Sequence, residues 1–121
     1  RSREKGFKAF IASLDGRMIS FDFGYQDEDE DVFFSDTTAT LIEGKKIGST
    51  LFAVEIIHND ENGYKATTLA TEERDEKNRP LESIWGKMGF RTVRKREDGN
   101  VLMKLEHTPE ALRYLYEKYI L

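Results

Sequence analysis

The first forty residues carry short runs in which apolar and polar positions alternate, which is the period of a β-strand. Ile19, Phe21 and Phe23 alternate with Ser20 and Asp22, and an Asp-Gly pair ahead of them is typical of a two-residue hairpin turn. A later run is rich in aromatic and β-branched residues, which also favour strands. The pattern therefore predicts an antiparallel meander of three strands, at residues 7–14, 17–25 and 32–41.

The period then changes to that of a helix. Leu51, Val54 and Ile57 recur at helical spacing, and Asn62-Gly63 offers a left-handed C-cap where this helix should end. The order β-β-β-α-β-α-β-β-α predicts a mixed α/β (α+β) domain. The elements predicted after the first helix are a strand at 64–71, a helix opening at Asn78-Arg79-Pro80 and ending at Gly89, strands at 90–96 and 101–106, and a helix at 109–120.

Composition excludes several classes of protein. The 121 residues suffice for one core, which predicts a single domain over residues 1–121, and 12% aromatic content argues against disorder. No apolar run reaches the roughly 18 residues that span a bilayer. The absence of cysteine excludes disulfides, a cysteine zinc site and a thiol nucleophile, and it fits a reducing, cytoplasmic location. Two histidines are too few for a histidine metal cluster, so we expect no metal.

Charge is unevenly distributed along the chain. Residues 1–63 carry seven basic and thirteen acidic side chains, whereas residues 64–121 carry twelve and ten. No basic stripe of the kind that binds nucleic acid is present, and we expect neither nucleic acid nor membrane as a partner. The acidic run 27–31 has two interpretations. It is a solvated turn, or it attracts a cationic substrate.

The segment between the third strand and the first helix has the composition of an anion site. Gly48 would let a ligand approach the backbone closely, Ser49 and Thr50 would add hydroxyl donors, and Lys45 and Lys46 would add positive charge. A helix N-terminus also presents free N–H groups and the positive end of the helix dipole. The segment therefore fits a pyrophosphate, although many ordinary helices also begin with Gly and Ser.

A second segment, ending Trp85-Gly86-Lys87-Met88-Gly89-Phe90, carries a resemblance to a known family. The chain resembles the GNAT superfamily of acyl-CoA-dependent N-acetyltransferases. Their phosphate loop reads Gln/Arg-x-x-Gly-x-Gly/Ala, and Gly48 matches its second glycine. Their later motif reads Asn-x-x-Ala-x-x-x-Tyr-x-Lys-x-Gly-Phe, and its matching positions here are Asn78, Lys87, Gly89 and Phe90.

The resemblance implies a mostly antiparallel six-stranded sheet whose central parallel strands, here 34–41 and 64–70, splay apart. The pantetheine arm of acetyl-CoA would lie between them, packed against Trp85, and a substrate amine would attack the thioester directly. A backbone N–H near Thr38 to Thr40 would stabilise the oxyanion. The implied cofactor-binding residues are Thr38, Thr40, Lys45, Lys46, Ile47, Gly48, Ser49, Thr50, Asn78 and Trp85.

The amine must also lose a proton, and two carboxylates are candidates for its acceptor. Asp36 and Glu72 lie on or just past the two splayed strands, so either could act as the catalytic base. Each also fits a solvated strand end. His58, at the end of the first helix, is a third titratable group that fits a capping role better.

The chain departs from the family pattern at four positions. Glu43 stands where the family has Gln or Arg, Lys46 replaces the first loop glycine, and Leu81 replaces Ala. Trp85 replaces the usual Tyr, and an indole N–H is not an acid that could protonate a thiolate. Residue 7 already corresponds to the family's second strand, so we expect a domain without the usual first strand and two helices.

These features leave two hypotheses of different classes. The first is an N-acyltransferase that transfers acetyl from acetyl-CoA to a cationic primary amine or basic peptide. The second is a catalytically degenerate domain of the same shape, with a structural or protein-binding role that includes pairing with a second copy.

Overall fold

The strands and helices follow the predicted order. The computed structural model describes residues 6–40, 47–72 and 81–121. The strands are β1 Lys8–Leu14, β2 Arg17–Gln26, β3 Val32–Thr40, β4 Ala66–Glu72, β5 Arg91–Lys95 and β6 Asn100–Glu106. The helices are α1 Ile47–Glu61, α2 Leu81–Gly86 and α3 Pro109–Leu115, and a π-helical segment, Tyr116–Ile120, continues α3.

The six strands form one sheet in the order β1-β2-β3-β4-β6-β5. All neighbours are antiparallel except β3 and β4. The parallel pairing runs from Val32 opposite Ala66 to Ser35 opposite Leu69 and stops there, although both strands continue. The structure thus confirms a mixed sheet whose central parallel pair splays apart.

Local chemistry fixes the connections between these elements. The β1–β2 turn places Asp15 at φ 52° and Gly16 at φ 79°, the left-handed pair that a type I′ hairpin requires. At the end of α1, Gly63 at φ 95° donates its N–H to the carbonyl of Asp60, while Tyr64 donates to that of Asn59. This is the Schellman cap that the Asn-Gly pair predicts.

Helix α1 covers one face of the sheet and buries two chemically different surfaces. Toward β4 and β6 it packs on an apolar core. The buried apolar residues there are Phe52, Ala53, Ile56, Leu69, Met88, Phe90, Val101, Met103, Leu105 and Leu115. Toward β2 and β3 it covers a group that we call the buried polar cluster, consisting of Ser20, Asp22, Ser35, Glu55 and Asn59.

The inward face of α1 differs from the predicted one. Val54 was expected in the apolar stripe but is 39% exposed, while Glu55 and Asn59 are fully buried. The reason is that the helix faces polar residues of β2 and β3 as well as the apolar core. Its buried face therefore does not coincide with its apolar stripe. None of the helices in the described ranges is long and apolar enough to cross a membrane.

Candidate functional site

A β-bulge lies at the point where β3 leaves β4. In the β2–β3 pairing, Gly24 opposes Ser35 and Phe23 opposes Thr37, so Asp36 is an extra residue. Ser35 also forms the last pair with β4. Because a bulge bends its strand and increases the local twist, Asp36 marks the start of the opening between β3 and β4.

A cavity of about 270 Å³ occupies this opening, and we call it the strand cavity. Phe52 of α1 and Leu69 of β4 give it apolar lining, whereas Ser35 and the exposed Asp36 give it polar lining. Ala70, Thr71 and Trp85 complete it.

A second cavity, of about 340 Å³, lies at the N-terminus of α1, and we call it the helix cavity. It is lined by Gly48, Ser49, Ile84, Trp85, Lys87, Met88 and Tyr119. Trp85 lines both cavities, so the two adjoin. The first turn of a helix presents unsatisfied N–H groups and partial positive charge, to which Lys87 adds a cation. The helix cavity is therefore suited to an anionic group.

Trp85 is held firmly between the two cavities. Its ring meets Phe52 edge-on, with 5.3 Å between the ring centroids, and lies 6.4 Å from Phe90. Its indole Nε1 is buried and has no hydrogen-bond acceptor among the described residues. A buried donor without an acceptor is costly, so this N–H is available to a ligand that enters the site.

The end of the chain builds one wall of the helix cavity. The Thr50 hydroxyl donates to the carbonyl of Tyr119 at 2.7 Å, which ties the first turn of α1 to the π-helical segment. The Tyr114 hydroxyl donates to the carbonyl of Lys87 at 2.8 Å, which ties α3 to the turn after α2. These two links could not be predicted from the sequence, because nothing local connects Tyr119 with Thr50.

The structure brings several of the predicted site residues together. Asp36 lines the strand cavity, Gly48 and Ser49 line the helix cavity, and Trp85 lines both. Ile47 is the first residue of α1, and Thr50 lies in its first turn. Thr38 and Thr40 belong to the part of β3 beyond the bulge, which does not pair with β4.

Other predicted residues lie elsewhere. Glu72 is exposed at the end of β4 and lines neither cavity. His58 is exposed at the far end of α1, where its ring meets Phe10 edge-on. Lys45, Lys46 and Asn78, with Glu43, lie outside the described residues.

The acidic run forms a turn at the start of β3. The carboxylate of Asp27 accepts from the N–H of Glu28 and from the Thr68 hydroxyl, and Asp29 accepts from the N–H of Asp31. At about 3.3 Å per residue, β3 carries the chain roughly 13 Å from this turn to Asp36. The prediction of a turn is confirmed, and the run is not part of either cavity.

One buried titratable residue was not predicted from the sequence. Glu55 is fully buried, and burial together with the nearby charge of Asp22 raises its pKa from the ordinary 4.5 to about 8. The Ser35 hydroxyl faces this carboxyl group and offsets part of the rise. The sequence signal that could have found Glu55 is its position in the helix. It follows Phe52 by three residues and directly precedes Ile56, and both of these residues are buried.

Metal binding finds no support in the described ranges. No group of three His, Cys, Asp or Glu side chains there is close enough to hold an ion.

Comparison with known proteins identifies the fold. No family model and no curated protein sequence matches the chain. Solved structures do match. The PaiA N-acetyltransferase of Thermoplasma acidophilum, in complex with coenzyme A, has a TM-score of 0.71 and 17% identity, over 84% of this chain and 62% of that one. An aminoglycoside 6′-N-acetyltransferase complexed with coenzyme A has a TM-score of 0.75 and 12% identity, over 85% and 74%.

The ribosomal-protein-S18-alanine N-acetyltransferase of Escherichia coli gives a similar match, with a TM-score of 0.70 and 15% identity over 86% and 71% of the two chains. The chain therefore has the GNAT fold, as the two motifs indicated. It spans 62% of the length of the PaiA enzyme, and identities of 12–17% establish the fold and not the substrate.

Proposed function

We propose that this chain is an acyl-CoA-dependent N-acyltransferase that transfers acetyl from acetyl-CoA to a cationic primary amine. One observation carries the proposal. The opening between β3 and β4 begins at the Asp36 bulge, and its cavity adjoins, at Trp85, a second cavity on the N-terminus of α1. A long ligand with an anionic end and a neutral arm suits this pair of cavities.

The proposal assigns the two ends of acetyl-CoA to different cavities. The pyrophosphate would lie at the first turn of α1, where Gly48 and Ser49 line the helix cavity and Lys87 adds a positive charge. The pantetheine arm would pass Trp85, whose indole N–H lacks an acceptor in the described part of the chain, and enter the strand cavity. The β3 backbone around Thr38 and Thr40, which does not pair with β4, would offer hydrogen bonds to that arm.

The thioester would then lie between the apolar and polar walls of the strand cavity. The amine nitrogen attacks the carbonyl carbon, the carbon–sulfur bond breaks, and the thiolate leaves with the electron pair. A thiol has a pKa of about 8.5, so the thiolate leaves without an acid in the Trp85 position. Asp36, exposed at this cavity, would attract the ammonium form of the amine.

The acceptor is proposed by chemical class. The solved structures of similar fold include aminoglycoside 6′-N-acetyltransferases and an enzyme named for an alanine of a ribosomal protein. Both names describe amine acetylation. Asp36, one of the two predicted catalytic bases, lines the strand cavity and would also attract a cationic amine. The role of Glu72 as the other catalytic base stays a prediction.

The test is calorimetric titration with acetyl-CoA and, separately, with CoA. We expect micromolar binding to the wild type and its loss in Gly48→Trp, which fills the helix cavity. Val54→Trp places the same side chain on the exposed face of the same helix and should bind normally. Equal binding by both variants would refute the proposed pyrophosphate site. Release of CoA thiol with polyamines, aminoglycosides or basic peptides would then establish transfer.

Trp85 favours a second candidate function, because the family's phenol is absent there. In this alternative the domain keeps its fold for a structural or protein-binding role. A cooperatively melting protein that gives no heat at near-millimolar acetyl-CoA would support it over the enzyme.

A further inference from the structure

We propose that Glu55 is the base that receives the amine's proton and that the Ser35 hydroxyl passes the proton to it. This inference rests on the proposed function, and it deepens it by assigning a proton path. Neither residue belongs to the two motifs that carry the family resemblance.

Ser35 connects the reaction cavity with the protein interior. It lines the strand cavity next to Asp36, yet it is only 5% exposed. Its hydroxyl faces the carboxyl group of Glu55 on α1, which is fully buried. A hydroxyl both donates and accepts, so it can take a proton from one side while it gives its own to the other.

The surroundings of Glu55 make it a better proton acceptor than an ordinary carboxylate. Burial is the larger cause of its raised pKa and the charge of Asp22 on β2 is the second, while Ser35 on β3 acts in the opposite direction. Two lysines on elements that pack against α1 have partners other than Glu55. On β1, Lys8 lies over the Tyr64 ring, and in the π-helical segment Lys118 pairs with Tyr114.

A general base is most effective when its pKa lies near the working pH. The pKa of about 8 meets this condition, whereas an unperturbed carboxylate near 4 is a weak acceptor for an amine proton. Since a buried charge without a partner is unfavourable, Glu55 also gains stability when it accepts the proton.

The step balances in protons and electrons. The amine attacks in its neutral form, after the ammonium ion has lost one proton to solvent. As the nitrogen–carbon bond forms and the carbon–sulfur bond breaks, one proton of the nitrogen moves to Ser35 Oγ and the Ser35 proton moves to a Glu55 carboxylate oxygen. The released thiolate then takes a proton back by the same path. The products are the amide, CoA as its thiol, and ionised Glu55, ready for another turnover.

In the protein without substrate, the hydrogen bond between Ser35 and Glu55 is not yet formed. Neither Glu55 carboxylate oxygen makes a hydrogen bond of normal geometry with a described residue. Catalytic hydrogen bonds are often long before substrate binds and shorten in the complex. Both carboxyl oxygens of Glu55 therefore have room to bond with the Ser35 hydroxyl when substrate binds.

The experiment measures kcat/KM against pH for the wild type, Glu55→Gln and Ser35→Ala, with Ser35→Thr as the variant that keeps the hydroxyl. Glu61→Gln is the matched control, because it is an exposed carboxylate on the same helix. The amine's own ionisation is common to all the proteins. The ratio of wild-type to Glu55→Gln activity therefore isolates the contribution of Glu55.

We expect this ratio to rise with pH and to level off near pH 8, with kcat of Glu55→Gln reduced by about 10²-fold or more on the plateau. Ser35→Ala should show the same loss, Ser35→Thr should restore most of it, and KM for acetyl-CoA should stay unchanged. A constant ratio, or full activity in Ser35→Ala, would overturn the path while leaving the acyltransferase intact. A wild type that binds no acetyl-CoA and acetylates no amine would overturn the proposed function, and the path with it.

Discussion

The buried carboxyl group of Glu55 makes a prediction about stability that needs no substrate. In the folded protein its pKa is about 8, while the ordinary value of 4.5 describes the unfolded chain. Between these values the folded state keeps a proton that the unfolded state has lost. Unfolding then releases a proton, so the free energy of unfolding should fall as the pH rises through this window and level off above it. Glu55→Gln, which is uncharged at every pH, should remove this dependence.

The expected size follows from the gap between the two pKa values. Each unit is worth about 1.4 kcal/mol, so the wild type should lose about 2 kcal/mol relative to the variant at about pH 6 and about 3 kcal/mol at about pH 7. Complete ionisation above pH 8 would bring the difference to about 5 kcal/mol, a large share of the 5–15 kcal/mol that is typical of a whole domain. Near pH 4.5 the two proteins should be about equally stable, since Glu55 is then protonated.

Urea unfolding measures this difference, with the fluorescence of Trp85, the single tryptophan, as the signal. Titrations of the wild type, Glu55→Gln and the exposed control Glu61→Gln would span about pH 5 to about pH 8.5. We expect the wild type and the control to fall together while Glu55→Gln diverges from both. If the stabilities of the wild type and Glu55→Gln changed in parallel across this pH range, the assignment of a raised pKa to Glu55 would be refuted.

Three further predictions test the surroundings of the site. Burial lowers the pKa of His107, so the folded protein takes up a proton there less readily than the unfolded chain does. Stability should therefore fall as the pH drops below about 6.5, and His107→Gln should flatten this loss in urea titrations. Thr50→Val removes the hydrogen bond to Tyr119 and should cost about 1 kcal/mol in the same assay. Trp85→Phe keeps an aromatic ring against the core but removes the indole N–H, so calorimetry should detect weaker acetyl-CoA binding with a stability loss below about 1.5 kcal/mol.

The order of strands and helices could be predicted because each signal was local. Asp15-Gly16 determines its own turn, and Gly63 caps its own helix, whatever the rest of the chain does. The inward face of α1 could not be predicted in the same way. Its polar residues Glu55 and Asn59 are buried because β2 and β3 cover them, and periodicity within the helix carries no information about those strands.

The candidate site shows the same difference between residues with a local sequence signal and residues whose role depends on distant contacts. Gly48 and Trp85 were found because each belongs to a short motif with fixed spacing. Ser35 and Tyr119 were missed, since their roles depend on contacts that the fold creates. Tyr119 meets Thr50 across 69 positions of the chain, and Ser35 reaches Glu55 only because the sheet places β3 beneath α1.

The boundary between the apolar core and the buried polar cluster explains why the opening lies where it does. Leu69 of β4 belongs to the core, and Ser35, its partner on β3, belongs to the cluster. The strands separate immediately after this pair, so the β4 side of the strand cavity begins at the apolar Leu69 and its β3 side at the polar Ser35. This asymmetry would suit the proposed acyl donor, which has a neutral arm, and the proposed cationic amine acceptor. If both walls were apolar, a charged amine would have to enter without compensation for its lost hydration.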